Sequence, residues 1–461
     1  MHGMGKNGSK PDFGAGRIPS LILRQAIPLA IAQLVQLLYN IVDRIYIGHM
    51  PGDGTLALTG IGITFPLISL IAAFTNLYGM GGMPLFSMAR GADQPEKART
   101  IMGHTMGLLI ITSVILMAVI YLFQRPLLFL FGASAQSFPY ANAYLSIYLL
   151  GTPCAMISIG MNGFINAQGY PTVGMLTTVL GAVLNLILDP VLIYVLHWGV
   201  QGAAVATVIS QTVSCAWVLR FLIGGRAEIT LKRKYLRPTR DLSRKIVTLG
   251  SAGFMMSATN GIVQAACTST LQLFGGDLYV SIFTVLCSVR EIMHLPIQGL
   301  THGSQPVLGF NFGARKYDRV RSGIRFMTLL GLGYTLVLWV VVLLFPGAFL
   351  GIFSRQQDLI VQGMDAMRLF FAGFLFMTFQ FAGQAVFQGL GYAPYAVFFS
   401  ILRKVLIVVP LTLLLPRLGL GVNGVFLAEP ISDVIGGLAC FLTMRRKVYR
   451  RLEQEGEKRN G

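Results

Sequence analysis

The sequence predicts an all-α integral membrane protein with twelve transmembrane helices, in two six-helix lobes related by a pseudo-twofold axis along the membrane normal. Three observations lead to this prediction. The chain is strongly apolar: 54% of its 461 residues are hydrophobic and 12% are charged, whereas a soluble domain carries about twice that charged fraction. Long segments lack any charge, and the two halves repeat the same landmarks. The mean hydropathy of +0.66 agrees with a chain that lies largely in lipid.

Long, predominantly apolar segments define the predicted spans. Residues 326–353 contain no charged side chain, and a bilayer core needs about 20 apolar residues per helix. Six predominantly apolar segments long enough to span occur in each half. The first six are residues 20–49, 57–89, 97–124, 137–165, 172–196 and 200–224. The second six are residues 245–275, 279–311, 319–346, 360–388, 392–415 and 422–445.

Landmark residues recur at an offset of 222 positions. Pro306 follows Pro84 at this distance, and Gly313 follows Gly91. The same offset relates further pairs: Gly151 and Gly373, Gly169 and Gly391, Gly202 and Gly424, Ala206 and Ala428. An ungapped offset over more than a hundred positions indicates a duplicated unit. Because each half has an even number of spans, both halves begin on the same side of the membrane, and the repeats are parallel.

The basic residues predict the orientation of the chain. A net charge of +18 would suggest a nucleic-acid partner in a soluble protein. Here 28 of the 36 Lys and Arg residues fall in the tails and in the loops on one side of the membrane. The opposite side has four: Arg125, Arg355, Arg368 and Arg417. The positive-inside rule therefore predicts a multi-pass cell-membrane protein with both termini in the cytoplasm, a basic surface toward anionic lipid, and no nucleic-acid partner.

The predicted organisation has five parts: a cytoplasmic tail at 1–19, a first lobe at 20–224, a cytoplasmic linker at 225–244, a second lobe at 245–445 and a cytoplasmic tail at 446–461. The first nineteen residues contain no apolar stretch, so we expect no cleavable signal peptide. The five cysteines are scattered singly through the spans. They predict small packing residues and neither disulfides nor a metal site.

Two acidic residues lie inside spans of the first half, where each ionisable group costs roughly 2.5–3.5 kcal/mol on insertion scales. Asp43 is on the first span and Asp189 on the fifth. Asn185 precedes Asp189 by four residues, so the two side chains share one helix face. Pro190 has no amide hydrogen and leaves the carbonyl of Leu186 without its helical donor. These oxygen atoms form a candidate site for a proton or a hard cation.

The repeat provides an internal control for this site. The positions 222 residues later are apolar: Ala265 for Asp43, Ile407 for Asn185 and Leu411 for Asp189. The fold therefore does not require the acids. Two carboxylates close together in a low dielectric do not both stay ionised easily, which suits a site that takes and releases a proton. In the alternative interpretation each acid pairs with a buried base. Arg44 is the candidate for Asp43, although helix neighbours point about 100° apart.

The second half carries its own intramembrane charges: Arg290, Glu291, Arg403, Lys404, Glu429 and Asp433. Three bases balance three acids, so the favoured interpretation is a set of interhelical ion pairs that holds the lobe together. A transport role for Glu291 or Glu429, with Arg290, is the alternative. Glu429 lies at the position equivalent to Thr207.

Other motifs give little support to an enzyme. Residues 419–424 match G-x-G-x-x-G, but they lie between two spans without a βαβ unit and predict a helix–helix turn. We find no nucleophile–base set and no phosphate-binding loop, and predict neither catalysis nor a cofactor beyond the coupling ion. The 20 Met and 30 Phe residues suit an adaptable apolar pocket, but equally suit lipid-facing and packing positions.

Three segments together carry a family resemblance: residues 38–48 (LYNIVDRIYIG), 166–171 (NAQGYP) and 184–190 (LNLILDP). With them the chain resembles the multidrug and toxic compound extrusion (MATE) family, and is most similar to its MepA-like branch of bacterial exporters. The resemblance covers essentially the whole chain. It implies a V-shaped pair of lobes with a central cavity, exporting amphipathic organic cations against H⁺ or Na⁺.

The resemblance also implies roles for individual residues. The coupling site falls on Asp43, Asn185, Asp189 and Thr207, where Na⁺ is the possible metal ion. A proline that bends the first span falls on Pro28. The supporting polar groups and the substrate cavity fall on Tyr39, Asn162, Gln36 and Asn40. Some branches use acids on spans seven and ten, where this chain has only Asp277 and Asp365 at the span edges, so we expect the coupling site in the first half.

The predicted function is therefore secondary active export of drug-like organic cations by alternating access of two lobes, in a monomer surrounded by lipid. A first alternative is a lipid-linked oligosaccharide flippase of the same superfamily, which would tend to line its cavity with Arg. A second, from another class, is a membrane-embedded enzyme acting on lipids. The acid pair disfavours a passive channel.

Overall fold

The computed structural model describes residues 12–48, 50, 54–353 and 356–460, and this part of the chain is helical, without a β-strand. The helices of the first half are α1 (Ile18–Gly48), α2 (Gly54–Gly91), α3 (Pro95–Leu122), α4 (Gln124–Leu130), α5 (Phe138–Ala167), α6 (Pro171–Pro190) and α7 (Gly199–Ile223). A π-helical turn, Val191–Val195, extends α6.

The helices of the second half are α8 (Arg240–Gly313), α9 (Tyr317–Leu344), α10 (Pro346–Phe353), α11 (Gln357–Phe371), α12 (Met377–Gly389), α13 (Ala393–Ile401), α14 (Val409–Leu414), α15 (Gly421–Met444) and α16 (Arg450–Asn460). Short π-helical or 3₁₀ segments join several of them: Phe374–Phe376, Leu402–Val408, Pro416–Leu418 and Arg445–Tyr449.

Eleven helical segments of the described chain are long and apolar enough to cross a membrane. One of them, α8, has 74 residues and contains a break at Gly276, whose φ of 68° and ψ of −166° are not helical. At 1.5 Å per residue α8 is about 110 Å long, enough for two spans. The break falls between predicted spans 245–275 and 279–311. The predicted twelve-span fold is thus confirmed.

The tenth and eleventh predicted spans are less regular than the apolar pattern suggested. Residues 360–388 form α11 and α12 with a 3₁₀ turn between them, and residues 392–415 form α13 and α14 with a π-helical segment between them. Pro410 at the start of α14 has no N–H to donate, so the backbone rearranges around it. Hydropathy does not report such interruptions, because it averages side-chain polarity over a span and carries no information on backbone geometry.

The two halves meet through a symmetric pair of glycines. A Cβ atom on Gly91 would lie 1.8 Å from the carbonyl oxygen of Phe310, and one on Gly313 would lie 2.0 Å from that of Met88. Phe310 follows Met88 by the same 222 positions that separate the glycines. The repeat seen in the sequence is therefore also a repeat of contacts, and α2 and α8 touch there backbone to backbone.

Helix α1 belongs to the cores of both halves. Ile18, Ile22 and Ala26, near its start, pack in an apolar cluster of the second half, whereas Ile47, near its end, packs in the cluster of the first half. Pro28 lies between these two regions inside the helix.

Glycines of α8 allow the close approach of α1 near Pro28. A Cβ on Gly299 would lie 2.8 Å from the Ala30 Cβ, and one on Gly303 would lie 2.7 Å from the Ala26 Cα. The first part of α1 is thus held tightly by the second half of the molecule.

The segment before α1 packs where the halves meet. Phe13 is 2% exposed, and the Arg90 guanidinium lies over both its ring and that of Phe310, at 5.3 and 5.1 Å. Asn311 and Arg319 donate hydrogen bonds to the Phe13 carbonyl at 2.9 and 3.2 Å. The same Arg90 donates to Glu228 and to the carbonyl of Ala167, so it links the first half, the linker and the N-terminal segment.

Candidate functional site

Helices α1, α6 and α7 bring the four predicted coupling residues together. Asn185 and Asp189, one turn apart on α6, are each 1% exposed, and Thr207 on α7 is 6% exposed. Asp43 on α1 is half-buried. Its carboxyl group lies within hydrogen-bonding range of that of Asp189. The two acids therefore face each other, and Asp43 is the more accessible of the two.

The Asn185 amide connects Asp189 to α7. In the orientation that gives both amide ends a partner, its Nδ2 donates to Asp189 Oδ2 at 2.7 Å and its Oδ1 accepts from the Thr207 backbone N–H at 3.2 Å. The Thr207 hydroxyl donates to the carbonyl of Ala203 at 3.0 Å. These bonds fix one oxygen of the Asp189 carboxylate.

The other oxygen of Asp189 is left without a donor. Asp189 Oδ1 is buried and receives no hydrogen bond from the described residues. No Lys or Arg side chain of the described chain forms an ion pair with Asp189. A buried acceptor without a donor costs roughly 1–3 kcal/mol. A proton or a small hard cation at this position would remove that cost.

Two tyrosines of α5 lie beside the site and were not predicted from the sequence. Tyr144 lies close to Asp43, and its hydroxyl approaches Thr207. Tyr148 stacks on Tyr144 at 6.0 Å, and Gln211 lies near its hydroxyl. Tyr39, which was predicted, lies beside both acids.

The repeat holds a signal that could have found Tyr144 and the Tyr148 hydroxyl. The positions 222 residues later are Ala366 and Phe370, which carry no polar group. Gln211 carries no such signal, since its equivalent is Asp433.

Gln36 and Asn40 are exposed on the polar face of α1, with Gln36 Nε2 donating to Asn40 Oδ1 at 3.2 Å. At about 100° per residue, they lie within about 60° of Asp43 around the helix. The exposed apolar residues form a stripe on the opposite face: Leu23, Ile27, Ile31, Leu34, Leu38, Ile41 and Ile45. Because that stripe suits lipid, the polar face is the one that looks into the molecule.

Two other predicted residues lie away from the acids. Asn162 on α5 donates to the Gly174 carbonyl at 3.1 Å, and Gly174 precedes Asp189 by fifteen residues, about 22 Å along α6. Pro28 precedes Asp43 by the same number of residues on α1. The structure therefore does not bring Asn162 or Pro28 into contact with the acid pair. Arg44, the alternative partner of Asp43, has a side chain outside the described part of the structure.

The charges of the second half form the predicted interhelical pairs. Arg290 on α8 donates to both oxygens of Asp433 on α15, at 3.2 and 3.1 Å, and also pairs with Glu429. Arg403 pairs with Asp433, and Lys404 with Glu429 at 3.0 Å. Glu291 is exposed and forms no ion pair with a described side chain. The sequence grouped Glu291 with the network, but Glu291 does not join the ion pairs of the described side chains.

Known proteins match the chain over nearly its whole length. It is 25% identical to the multidrug export protein MepA of Staphylococcus saprophyticus over 90% of this chain and 91% of that protein. It is 23% identical to MepA of Staphylococcus haemolyticus over 94% of each. The fold superposes on an outward-facing multidrug resistance MATE family transporter of the MOP superfamily with a TM-score of 0.88, at 24% identity, covering 95% of this chain and 97% of that one.

A MOP superfamily transporter from Pyrococcus furiosus has the same fold, with a TM-score of 0.86 at 24% identity, covering 96% of this chain and 98% of that one. The MatE family model matches residues 28–191 and 253–414, one block in each half. The duplicated architecture and the family model therefore agree, and the chain belongs to the MatE family.

Proposed function

We propose that this chain is a secondary active multidrug exporter that moves amphipathic organic cations out of the cell against H⁺ or Na⁺. The observation that carries the proposal is the acid pair Asp43 and Asp189, with its orphaned carboxylate oxygen, in a chain of the MatE family. The relatives named as multidrug export proteins support the class of activity.

The coupling ion binds between the two acids. A proton shared by the carboxyl groups supplies the missing donor to Asp189. Sodium would instead need oxygen ligands on every side, and the Asn185 amide turns its nitrogen toward Asp189. A proton needs no oxygen from this amide, so H⁺ is the coupling ion that we propose.

One proton is energetically sufficient for a neutral solute: moving one charge through about 100 mV releases roughly 2.3 kcal/mol, and at about 1.4 kcal/mol per tenfold this sustains a gradient of roughly fifty-fold. Exchange of one proton for a singly charged cation moves no net charge, so the pH gradient alone drives it, about tenfold per pH unit.

Helix α1 transmits occupancy of the site to the rest of the molecule. Its first part is fixed to the second half by Ala26 and Ala30 against the glycines of α8, and its last part carries Asp43. A bend near Pro28 would move Asp43 and the polar face with Gln36 and Asn40, while the first part stays in place. As α1 bends, the solute held in the cavity between the lobes is expelled, and the lobes 20–224 and 245–445 then rock about the linker 225–244 to reload from the cytoplasm.

We further propose that the protein is a monomer in the cell membrane. The basic loops indicate that both termini lie in the cytoplasm. Its partners are small-molecule solutes and lipids and not nucleic acid, and it works as a transporter without a cofactor and not as an enzyme.

The test is export of a fluorescent organic cation by the full-length protein in everted membrane vesicles. We expect an imposed ΔpH to drive uptake, and a sodium gradient at equal pH to drive much less. Asp43→Asn and Asp189→Asn should each reduce ΔpH-driven uptake to background. Full ΔpH-driven uptake by Asp43→Asn would overturn the mechanism.

A matched control uses an acid outside the site. Asp365 is exposed and pairs with Arg368 one turn away at 3.4 Å. Asp365→Asn removes the same charge and should leave uptake unchanged. Loss of uptake in this variant as well would mean that the assay reports expression or folding.

A further inference from the structure

The two halves press against each other near the end of the molecule that carries the basic loops. Besides the close approach of Gly91 to Phe310, a Cβ on Gly81 of α2 would lie 2.0 Å from the carbonyl oxygen of Ile246 on α8. Helices α2 and α8 therefore meet backbone to backbone there. In the proposed exporter this end must open for a solute to enter from the cytoplasm, so whatever closes it has to be releasable.

Residues 12–17, which precede α1, form an N-terminal strap that is bound by the second half. Lys316 Nζ donates to the carbonyl of Gly14 at 2.9 Å. The Arg319 guanidinium donates to three further carbonyls of the strap, at distances between 2.9 and 3.2 Å. Because Lys316 and Arg319 lie at the start of α9, the N-terminal strap belongs structurally to the second half.

The linker before α8 is bound by the first half instead. The Ile229 backbone N–H donates to Gln168 Oε1 at 2.9 Å, and Arg99 Nε donates to the Thr230 carbonyl at 3.3 Å. Gln168 follows α5 and Arg99 lies on α3. The linker, including Glu228, therefore belongs structurally to the first half.

Arg90, at the end of α2, joins the linker to the N-terminal strap. Its guanidinium donates to Glu228 and to the Ala167 carbonyl, each at 2.9 Å, and both partners belong to the first half. The same guanidinium lies over the rings of Phe13 and Phe310, which belong to the second half. Its polar bonds thus stay within one half, and its ring contacts cross to the other.

This division makes the contact easy to release. If the halves part, Arg90 loses the two rings but keeps Glu228 as its counterion, so no buried charge is left uncompensated. Arg90 is 8% exposed and Phe13 is 2% exposed. A cation–π contact that is shielded from water in this way is stronger than an exposed one. It can therefore bias the equilibrium between the closed and the open arrangement without locking it.

We propose that the N-terminal strap is a releasable clasp: Phe13 holds the two halves together by covering the Arg90 guanidinium and separates from it when the cavity between the lobes reloads. The clasp sets the fraction of molecules that are open toward the basic loops. This role differs from that of the α1 bend near Pro28, which responds to occupancy of the acid pair. The inference rests on the alternating access of the proposed function.

A thiol placed between the halves tests the clasp. Ser87 on α2 is fully buried, and a Cβ on Gly309 of the second half would lie 3.2 Å from its Cβ. In full-length Ser87→Cys protein in nanodiscs without a pH gradient, alkylation by a water-soluble maleimide reports parting of the halves. Mass spectrometry of the peptide that contains residue 87 separates this thiol from the native cysteines.

Phe13→Leu, added to this reporter, keeps an apolar side chain but removes the ring face. We expect about tenfold faster alkylation, as loss of a shielded cation–π contact predicts. Phe312→Leu is the matched control, since it removes a ring at the same end of α8 that packs against Tyr317, and it should leave the rate unchanged. An unchanged rate in Phe13→Leu, or an equal increase in both variants, would overturn the proposal.

A second pair of variants reaches the clasp through its anchor. Arg319→Met removes the donor to three carbonyls of the N-terminal strap and should also accelerate alkylation about tenfold. Arg325→Met removes an exposed arginine six residues farther along α9 and should have no effect. Equal rates in these two variants would contradict the assignment. This pair decides the question if thermal melting shows that Phe13→Leu has lost its fold.

The ΔpH-driven export of the unmodified protein is recorded in parallel and keeps the two proposals separate. Export by the unmodified protein with no acceleration of alkylation in Phe13→Leu and Arg319→Met contradicts this inference alone. Acceleration in both variants without export by the unmodified protein contradicts the proposed function alone.

Discussion

The two halves of this protein hold buried acids in opposite ways. In the first half Asp189 is bonded on one side by Asn185, faces Asp43 and keeps one oxygen without a donor. In the second half Asp433 receives hydrogen bonds from two guanidinium groups, those of Arg290 and Arg403. The two sites occupy comparable places in the repeat, since Thr207 and Gln211 of the first answer to Glu429 and Asp433 of the second.

This difference indicates which buried acids can change their protonation state. An acid surrounded by bases in a low dielectric is held in its ionised form, and removing a partner leaves a buried charge uncompensated. An acid that faces another acid can accept a proton without breaking an ion pair. We therefore expect the second half to act as a fixed scaffold and the first half to hold the site whose occupancy changes.

The largest expected effect comes from breaking the paired network. Arg290→Met should destabilise the protein by about 3–5 kcal/mol, because Asp433 and Glu429 lose a shared buried partner. Thermal and denaturant unfolding of the purified protein would measure it. Arg368→Met, which removes an exposed base paired with Asp365, is the control and should cost less than about 1 kcal/mol. Similar losses of unfolding free energy in the two variants would mean that water solvates the charges of the network.

A second variant introduces the acid found in the second half at the equivalent position of the first half, and so tests whether that position tolerates an acid without its bases. Thr207→Glu copies the residue found at 429 but adds no base, so a third acid would lie beside Asp189 and Asp43. We expect a loss of about 2–3 kcal/mol in stability from burying a poorly compensated polar group, recovered in part at low pH as the acids become protonated. No loss near neutral pH would show that the first half already holds a compensating charge.

Asp189→Asn separates stability from transport. No described ion pair is lost, so the free energy of unfolding should change by less than about 1 kcal/mol, while ΔpH-driven export falls to background. Asp433→Asn is the matched variant in the second half and should cost more than Asp189→Asn, since two guanidinium groups lose their acceptor charge. A reversed order of the two costs would contradict the distinction between a fixed and an exchangeable acid.

The smallest expected effect is at the edge of the acid site. Tyr148→Phe removes a hydroxyl that lies near Gln211 and leaves the ring stacked on Tyr144. It should cost about 1 kcal/mol or less and weaken coupling a few-fold without abolishing it. Vesicle uptake measured over a series of imposed pH gradients would detect the change, and complete loss would give Tyr148 a larger role than positioning.

Much of this architecture was predictable because it depends on patterns that run along the chain. Long apolar segments locate helices, since charged side chains are costly in lipid, and the offset of 222 positions predicts two equivalent lobes. The same offset isolated Asp43, Asn185 and Asp189 as residues that the fold itself does not need. The fifth span also contains Pro190, a residue type that interrupts helices, and the α-helix changes there to a π-helical turn.

The sequence by itself determined the membrane class, the duplication and the identity of the acids, because hydropathy and repetition are properties of single positions and their spacing. Only the tertiary structure decided which polar groups meet. It placed Tyr144 and Tyr148 beside the acids, set Asn162 apart from them, and separated Glu291 from the buried ion pairs. These outcomes depend on the rotation and packing of whole helices against one another, and contacts between helices distant in the chain follow from that packing.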